Sequence, residues 1–148
     1  MFEIVPRLNT DPEFLLFCEK LDEAQDALEP KRKALGIRSK KDLDRISDVL
    51  FLQQDGKSVG CIALIQKTPD TVIICRVYVD GCLRGMGMAQ KLIEEAEIVA
   101  KQKGAKFAVA RILNKNIASL RAFEKQGYTI DTITDDLCDM RVYVKKVL

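Results

Sequence analysis

The chain has 148 residues, 47% hydrophobic and 31% charged, a balance that suits an ordinary folded domain and excludes a disordered tail or a membrane-spanning bundle. Its 24 Lys and Arg against 22 Asp and Glu leave a net charge of only +2, which disfavours a dedicated nucleic-acid binder. It has no histidine, so Ser-His and Cys-His nucleophiles and histidine-ligated metals are excluded, and any chemistry falls to carboxylates, Tyr, Cys, backbone groups or water.

Phe2 to Leu8 reads as a first strand. Thr10-Asp11-Pro12-Glu13 resembles a helix start, with Thr10 or Asp11 as the cap and Glu13 available to complete a capping box. Phe14, Leu15, Cys18, Leu21 and Leu28 give that helix an apolar face, and Pro30 ends it. Ser39 to Ile46 predicts a second short helix. Val49 to Gln53 and Ser58 to Gln66 form a hairpin over Asp55-Gly56, and Thr71 to Val79 follows across a turn at Thr68-Pro69-Asp70.

The next segment is the most informative. Val77-Tyr78-Val79 closes a strand, Asp80-Gly81-Cys82-Leu83-Arg84-Gly85-Met86-Gly87 makes a tight loop, and Met88-Ala89 opens a helix. Such a loop aims free N–H groups and the positive end of a helix dipole at one point, an arrangement that binds phosphate. Gly85 and Gly87 let a bulky anion reach the backbone, and Arg84 adds a fixed positive fork. The dinucleotide pattern fails because Gln90 stands where its third glycine belongs, and the P-loop pattern is absent. A plain glycine-bearing turn between strand and helix is the rival reading. Met88, Ala89, Leu92, Ile93, Ala96, Val99 and Ala100 then repeat at helical spacing, and Gly104 stops the helix. Phe107 to Ala110 is a short strand, followed by Asn114-Lys115-Asn116 and the stretch Asn116 to Tyr128, where the element order places a helix. Tyr128 to Asp131 and Met140 to Lys146 are the last strands.

Residues 1–148 read as one domain without internal repeat or linker, long enough to bury roughly 70% of its unfolded surface. No run of about 18 apolar residues occurs, and Met1-Phe2-Glu3-Ile4 does not open as a signal peptide, so a cytoplasmic location is expected. Cys18, Cys61, Cys75, Cys82 and Cys138 are odd in number and contain no C-x-x-C pair, which argues against a disulfide framework and structural zinc. Cys61 and Cys75 read as core packing. For Cys82, a small loop residue outweighs a reactive thiol, since nothing marks it as a thiolate.

Arg84, Gly87 and Ala89 make an Arg-x-x-Gly-x-Ala motif that resembles the pyrophosphate-binding motif of the GNAT superfamily of acyl-CoA-dependent N-acyltransferases. About 30 residues on, Asn116-Ile117-Ala118-Ser119 and Phe123-Glu124-Lys125-Gln126-Gly127-Tyr128 resemble the second signature of that family. The resemblance covers nearly the whole chain and implies an α/β three-layer sandwich, a mixed sheet of six or seven strands with helices on both faces. It implies acetyl-CoA as co-substrate, no metal, and direct attack of a primary amine on the thioester in a ternary complex. The pantetheine arm would lie along Val77, Tyr78 and Val79, whose backbone also polarises the thioester carbonyl. The pyrophosphate would sit on the N–H groups of Arg84, Gly85, Met86, Gly87, Met88 and Ala89, with Asn116 and Phe123 completing the cofactor site. The resemblance leaves room for a homodimer and assigns no membrane contact.

Two positions depart from the family pattern. Ile73 stands where many members carry a Glu base, and Phe123 where many carry a Tyr acid. Tyr78, Asp80 and Tyr143 are the replacement candidates, each against the plainer reading of a packed Tyr or a turn-shaping Asp. The first helix is acidic (Asp11, Glu13, Glu19, Asp22, Glu23, Asp26, Glu29), the segment after it basic (Lys31, Arg32, Lys33, Arg38, Lys40, Lys41), and Asp131, Asp135, Asp136 and Asp139 crowd the loop before the last strand. Acidic walls would favour a cationic amine, although such runs are commonly solvated faces. Two other functions fit these features: an acyl-CoA-binding regulatory protein without catalysis, motivated by Ile73 and Phe123, and a nucleic-acid-binding module using Lys31 to Lys41.

Overall fold

In the computed structural model, a seven-stranded sheet runs β1 (Phe2–Arg7), β2 (Ile46–Gln54), β3 (Lys57–Gln66), β4 (Thr71–Val79), β5 (Phe107–Leu113), β7 (Asp139–Val147), β6 (Thr129–Asp136) across its width. The structure describes residues 1–136 and 139–148. All neighbours pair antiparallel except β4 and β5, whose parallel pairing requires a crossover that α3 (Met88–Gln102) supplies. Helices α1 (Pro12–Leu28) and α2 (Lys31–Ala34) lie on one side of the sheet, and α3 and α4 (Ile117–Lys125) on the other, so the expected three-layer sandwich forms. Among the described residues, no helix is long and apolar enough to cross a membrane.

Strand alternation builds two cores. On β3, Ile62 and Leu64 face α3 and α4 with Leu92, Ile93 and Phe123, whereas Cys61, Ala63 and Ile65 face α1 with Phe14, Phe17 and Phe51. The β2–β3 hairpin turns through Asp55 (φ 50°) and Gly56 (φ 82°), the left-handed pair that a two-residue hairpin requires.

Several local expectations need correction. Asp11 caps α1 by accepting the Glu13 N–H at 2.9 Å, so Glu13 sits too early to close a capping box. Phe17, not Leu15 or Leu28, completes the buried face of α1 with Phe14, Cys18 and Leu21; Leu28 is exposed. No helix spans Ser39 to Ile46. The short helix is α2, started by Pro30, and only a 3₁₀ turn at Leu43–Arg45 precedes β2. Ser39 is held instead by the Asp22 carboxylate, which accepts from its N–H and its hydroxyl, a side-chain bond that competes with helix formation. Asp131, Asp135 and Asp136 belong to β6 and Asp139 opens β7, so these acids do not form a loop before the last strand.

The feature that shapes the site is a bulge in β4. Cys61 pairs with Tyr78 and Ala63 with Cys75, so three β4 steps oppose two on β3. Arg76 takes the left-handed conformation there (φ 51°). The extra residue reverses the alternation: Val72 and Ile74 face the α3 side, yet beyond the bulge Val77 and Val79 do so, and Tyr78 turns toward α1. Gly60 sits just past the bulge, where an added Cβ would meet the Tyr78 carbonyl oxygen at 2.6 Å. Gly60→Ala is therefore expected to cost about 1–3 kcal/mol by forcing β3 from β4; an unchanged denaturation midpoint would refute that close approach.

Candidate functional site

β4 and β5 pair at only three positions, Thr71–Phe107, Val72–Ala108 and Ile73–Val109, and then diverge. Two things drive them apart. The Arg76 bulge bends β4, and β5 stays committed to β7 along its whole length, from Phe107–Val147 to Leu113–Arg141. The opened seam is a cleft lined by Ile74 to Val77 of β4, Ala110 to Leu113 of β5, Leu21 and Gln25 of α1, and Asn116, Ser119 and Phe123. The facing edges of the two strands carry no ladder bonds there, so their N–H and C=O groups are available to an extended ligand.

At the far end of β4 a 3₁₀ turn over Gly81–Leu83 leads into the glycine loop. Leu83 N–H bonds the Asp80 carbonyl at 2.9 Å and Arg84 N–H bonds the Gly81 carbonyl at 3.3 Å, so the Arg84 amide is spent inside the turn. The first bond of α3 is given by Lys91 to the Gly87 carbonyl at 3.1 Å. The N–H groups of Gly85, Met86, Gly87, Met88, Ala89 and Gln90 thus have no acceptor among the described residues, a cradle displaced one residue toward the helix from the expected set. Gly85 (φ 83°) and Gly87 (φ 75°) adopt conformations that favour glycine, and a Cβ on either would project into open space. No side chain caps α3 at Gly87, which leaves its dipole end bare. Arg84 is exposed beside the loop. Six orphan donors, a bare helix end and one guanidinium fit a diphosphate.

Asn116 lines the cleft and caps α4, its Oδ1 accepting the Ser119 N–H at 3.2 Å. Phe123 is buried at the cleft floor, edge-on to Tyr128 with ring centroids 5.0 Å apart. Ile73 packs into the α1-side core at the last paired position before the seam opens. The Tyr78 hydroxyl and the Asp80 carboxylate interact; the Tyr78 ring centroid lies 5.6 Å from that of Phe17, and Lys20 Nζ is 3.9 Å from the Asp80 carboxylate. Burial, and then the Asp80 charge, raise the Tyr78 pKa above its ordinary value, so its hydroxyl stays protonated through neutral pH. Tyr143 is not part of this pair. It stands on β7, across the cleft and beyond β5, with the Arg111 guanidinium 5.4 Å from its ring centroid.

Two residues of consequence lacked a sequence signal. Arg76 donates its Nε to the Ser39 carbonyl at 3.2 Å and a terminal nitrogen to the Lys41 carbonyl at 2.7 Å, tying the bulge to the segment after α2. Arg111 falls just past the strand expected over Phe107 to Ala110; in the structure it lies within β5 and lines the cleft. Only the left-handed turn at Arg76 could have hinted at a bulge, and φ is invisible in a sequence.

The acidic and basic runs turn out to be partners. Arg32, only 2% exposed, reaches Asp26 at 3.0 Å and Asp22 at 3.5 Å, while Arg38 reaches Asp26 at 2.8 Å. Lys40 pairs with Glu19, and Lys115 with Glu29, whose carboxyl that ammonium holds below the usual range. Half of the basic segment, Arg32, Arg38 and Lys40, is therefore paired within the fold, as are Glu19, Asp22, Asp26 and Glu29 of the acidic run.

The cysteines separate by environment. Burial pushes the Cys18 thiol up to about 11 and raises Cys61 and Cys75 as well, whereas Cys82 is exposed beside the glycine loop. Cys138 lies outside the described residues. Iodoacetamide on the native protein at neutral pH is expected to alkylate Cys82 before Cys18 or Cys61, read by peptide mass spectrometry; early labelling of Cys61 would contradict its burial.

A sheet opened between two parallel strands, with a donor-rich helix start at the end of the opening, defines a fold that receives an extended, phosphate-bearing ligand. The profile of the Acetyltransferase (GNAT) family matches residues 13–128, and the chain belongs to that family. Its fold superposes on a provisionally assigned acyl-CoA N-acyltransferase from Klebsiella pneumoniae with a TM-score of 0.82 at 22% identity, covering 100% of this chain and 98% of the other. A GNAT family acetyltransferase from Elizabethkingia anophelis with acetyl-CoA bound gives 0.75 at 18% identity, covering 99% and 98%. A Bacillus subtilis acetyltransferase in complex with CoA gives 0.76 at 20%, covering 100% and 99%. At these identities the likeness is one of fold. No curated protein matches the sequence.

Proposed function

We propose that this chain moves an acetyl group from acetyl-CoA to a primary amine. The observation that carries the reading is the continuity between the open β4 edge and the six unpartnered N–H groups of Gly85 to Gln90. The co-substrate supplies an activated thioester. The Gly85–Gln90 cradle and Arg84 hold its diphosphate, and the freed edge of β4 from Ile74 to Val79 aligns the acyl arm and offers an N–H to the thioester carbonyl. The amine nitrogen forms the new C–N bond as the C–S bond breaks; the nitrogen loses one proton and the departing sulfur gains one.

In this reading Tyr78, protonated at neutral pH, donates the proton to sulfur, and Asp80 takes the ammonium proton through water. Ile73 and Phe123 have no proton to offer, so the usual positions are silent here. Tyr143, on the far side of β5, is left out of proton transfer. The test is acetyl transfer to an amine panel by the parent and by Tyr78→Phe. The variant is expected to lose about 10²-fold in kcat while keeping its stabilisation by acetyl-CoA. Stabilisation by acetyl-CoA with no turnover of any amine would instead favour the regulatory, non-catalytic reading that Ile73 and Phe123 motivate.

A further inference from the structure

We propose, resting on the acetyl-transfer reading above, that the acceptor amine carries a carboxylate and that Arg111 recognises it at the α1-side mouth of the cleft. With the glycine loop and α3 assigned to the co-substrate, the acceptor must approach the opened seam from the opposite face of the sheet. On β5, Ala108, Ala110 and Ile112 belong to the α3-side core, so Arg111 projects to the α1 side. α1 covers β3 and β4, and Arg111 stands on the next strand, exposed yet part of the cleft wall.

Its chemistry is unspent. The guanidinium carbon lies 5.4 Å from the Tyr143 ring centroid, and the group is paired with no carboxylate among the described residues. On the α1 side, Asp22 and Asp26 are already committed to Arg32 and Arg38, and Glu29 to Lys115. Arg76, the other cation of the cleft wall, is occupied by two backbone carbonyls. The cleft lining therefore holds two cations, Arg76 and Arg111, and no acid among the described residues, with one available guanidinium fork. A diamine would be repelled there, whereas an amine bearing a carboxylate would be oriented by a charge-assisted, bidentate bond.

The experiment compares kcat/KM for ω-amino acids, their carboxamides, whose amines differ little in basicity, and diamines of equal length. The parent is expected to favour the carboxylate over the carboxamide by about 10- to 100-fold, the worth of a hydrogen bond to a charged group. Arg111→Gln is expected to collapse that ratio toward unity and Arg111→Lys to keep part of it, with the acetyl-CoA-dependent rise in melting temperature showing that each variant is folded. Equal or better turnover of carboxamides or diamines by the parent, or a ratio that survives Arg111→Gln, would overturn the proposal while acetyl transfer stands. If none of the three amine classes reacts while another amine of the panel does, this assignment falls and acetyl transfer stands; if no amine of the panel reacts, acetyl transfer fails and this assignment falls with it.

Discussion

Gly87→Asp is expected to leave a folded protein that acetyl-CoA no longer stabilises. Gly87 has φ 75° and is the N-cap of α3, with nothing within 4 Å of the place where a Cβ would stand. Aspartate tolerates the left-handed region better than most residues and is itself a good N-cap, so the cost in stability should be small. Its carboxylate, however, would take the helix-end N–H groups for itself and set a negative charge where the diphosphate belongs. Acetyl-CoA at 100 times its dissociation constant should add about 2.7 kcal/mol to the parent, or roughly 5–10 °C in melting temperature for a domain of this size. The variant should show no shift. A variant that kept the full shift would remove the glycine loop from the acyl-CoA site.

The second large effect is structural. Asp22→Ala is expected to cost about 3–5 kcal/mol, because it strips the partner from buried cations rather than from solvated ones. Both carboxylate oxygens accept the Ser39 N–H, at 2.9 and 3.0 Å; Oδ1 also accepts the Ser39 hydroxyl and lies 3.5 Å from the buried Arg32. Arg32 Nε already lacks a partner, so its guanidinium would then depend on Asp26 alone. The loss would also travel toward the site, since the Ser39 carbonyl is one of the two anchors of Arg76 at the β4 bulge. A urea midpoint lowered at unchanged slope would report it; a cost under 1 kcal/mol would mean that the network is incidental to stability.

These two predictions differ in how legible their residues were. Gly87 announced itself, because a glycine pair between an apolar strand and an amphipathic helix has few uses other than a left-handed loop open to an anion. Asp22 looked like one more acid on a charged helix. Its role depends on Arg32, Arg38 and Ser39 folding back over α1, and no period in the sequence encodes that return. The same blindness produced the mistaken helix over Ser39 to Ile46. Local propensity there is overridden by the Asp22 carboxylate and by Arg76, which between them claim the Ser39 N–H, its hydroxyl and its carbonyl.

By itself, then, the sequence determined what repeats or punctuates along the chain: the order of strands and helices, the apolar faces of β3 and α3, the Asp55-Gly56 hairpin, and the glycine loop with its Arg84. These features are local, since each depends on alternation, helical spacing or a backbone conformation that few residues adopt. The tertiary structure decided everything that depends on distant partners. It fixed where β4 leaves β5, because β7 holds β5 while the Arg76 bulge bends β4 away. It paired half of the basic run with acids of α1. It also left Arg111 facing the opened seam without an acid to answer it among the described residues, a fact about which residues meet, and meeting is what folding adds to sequence.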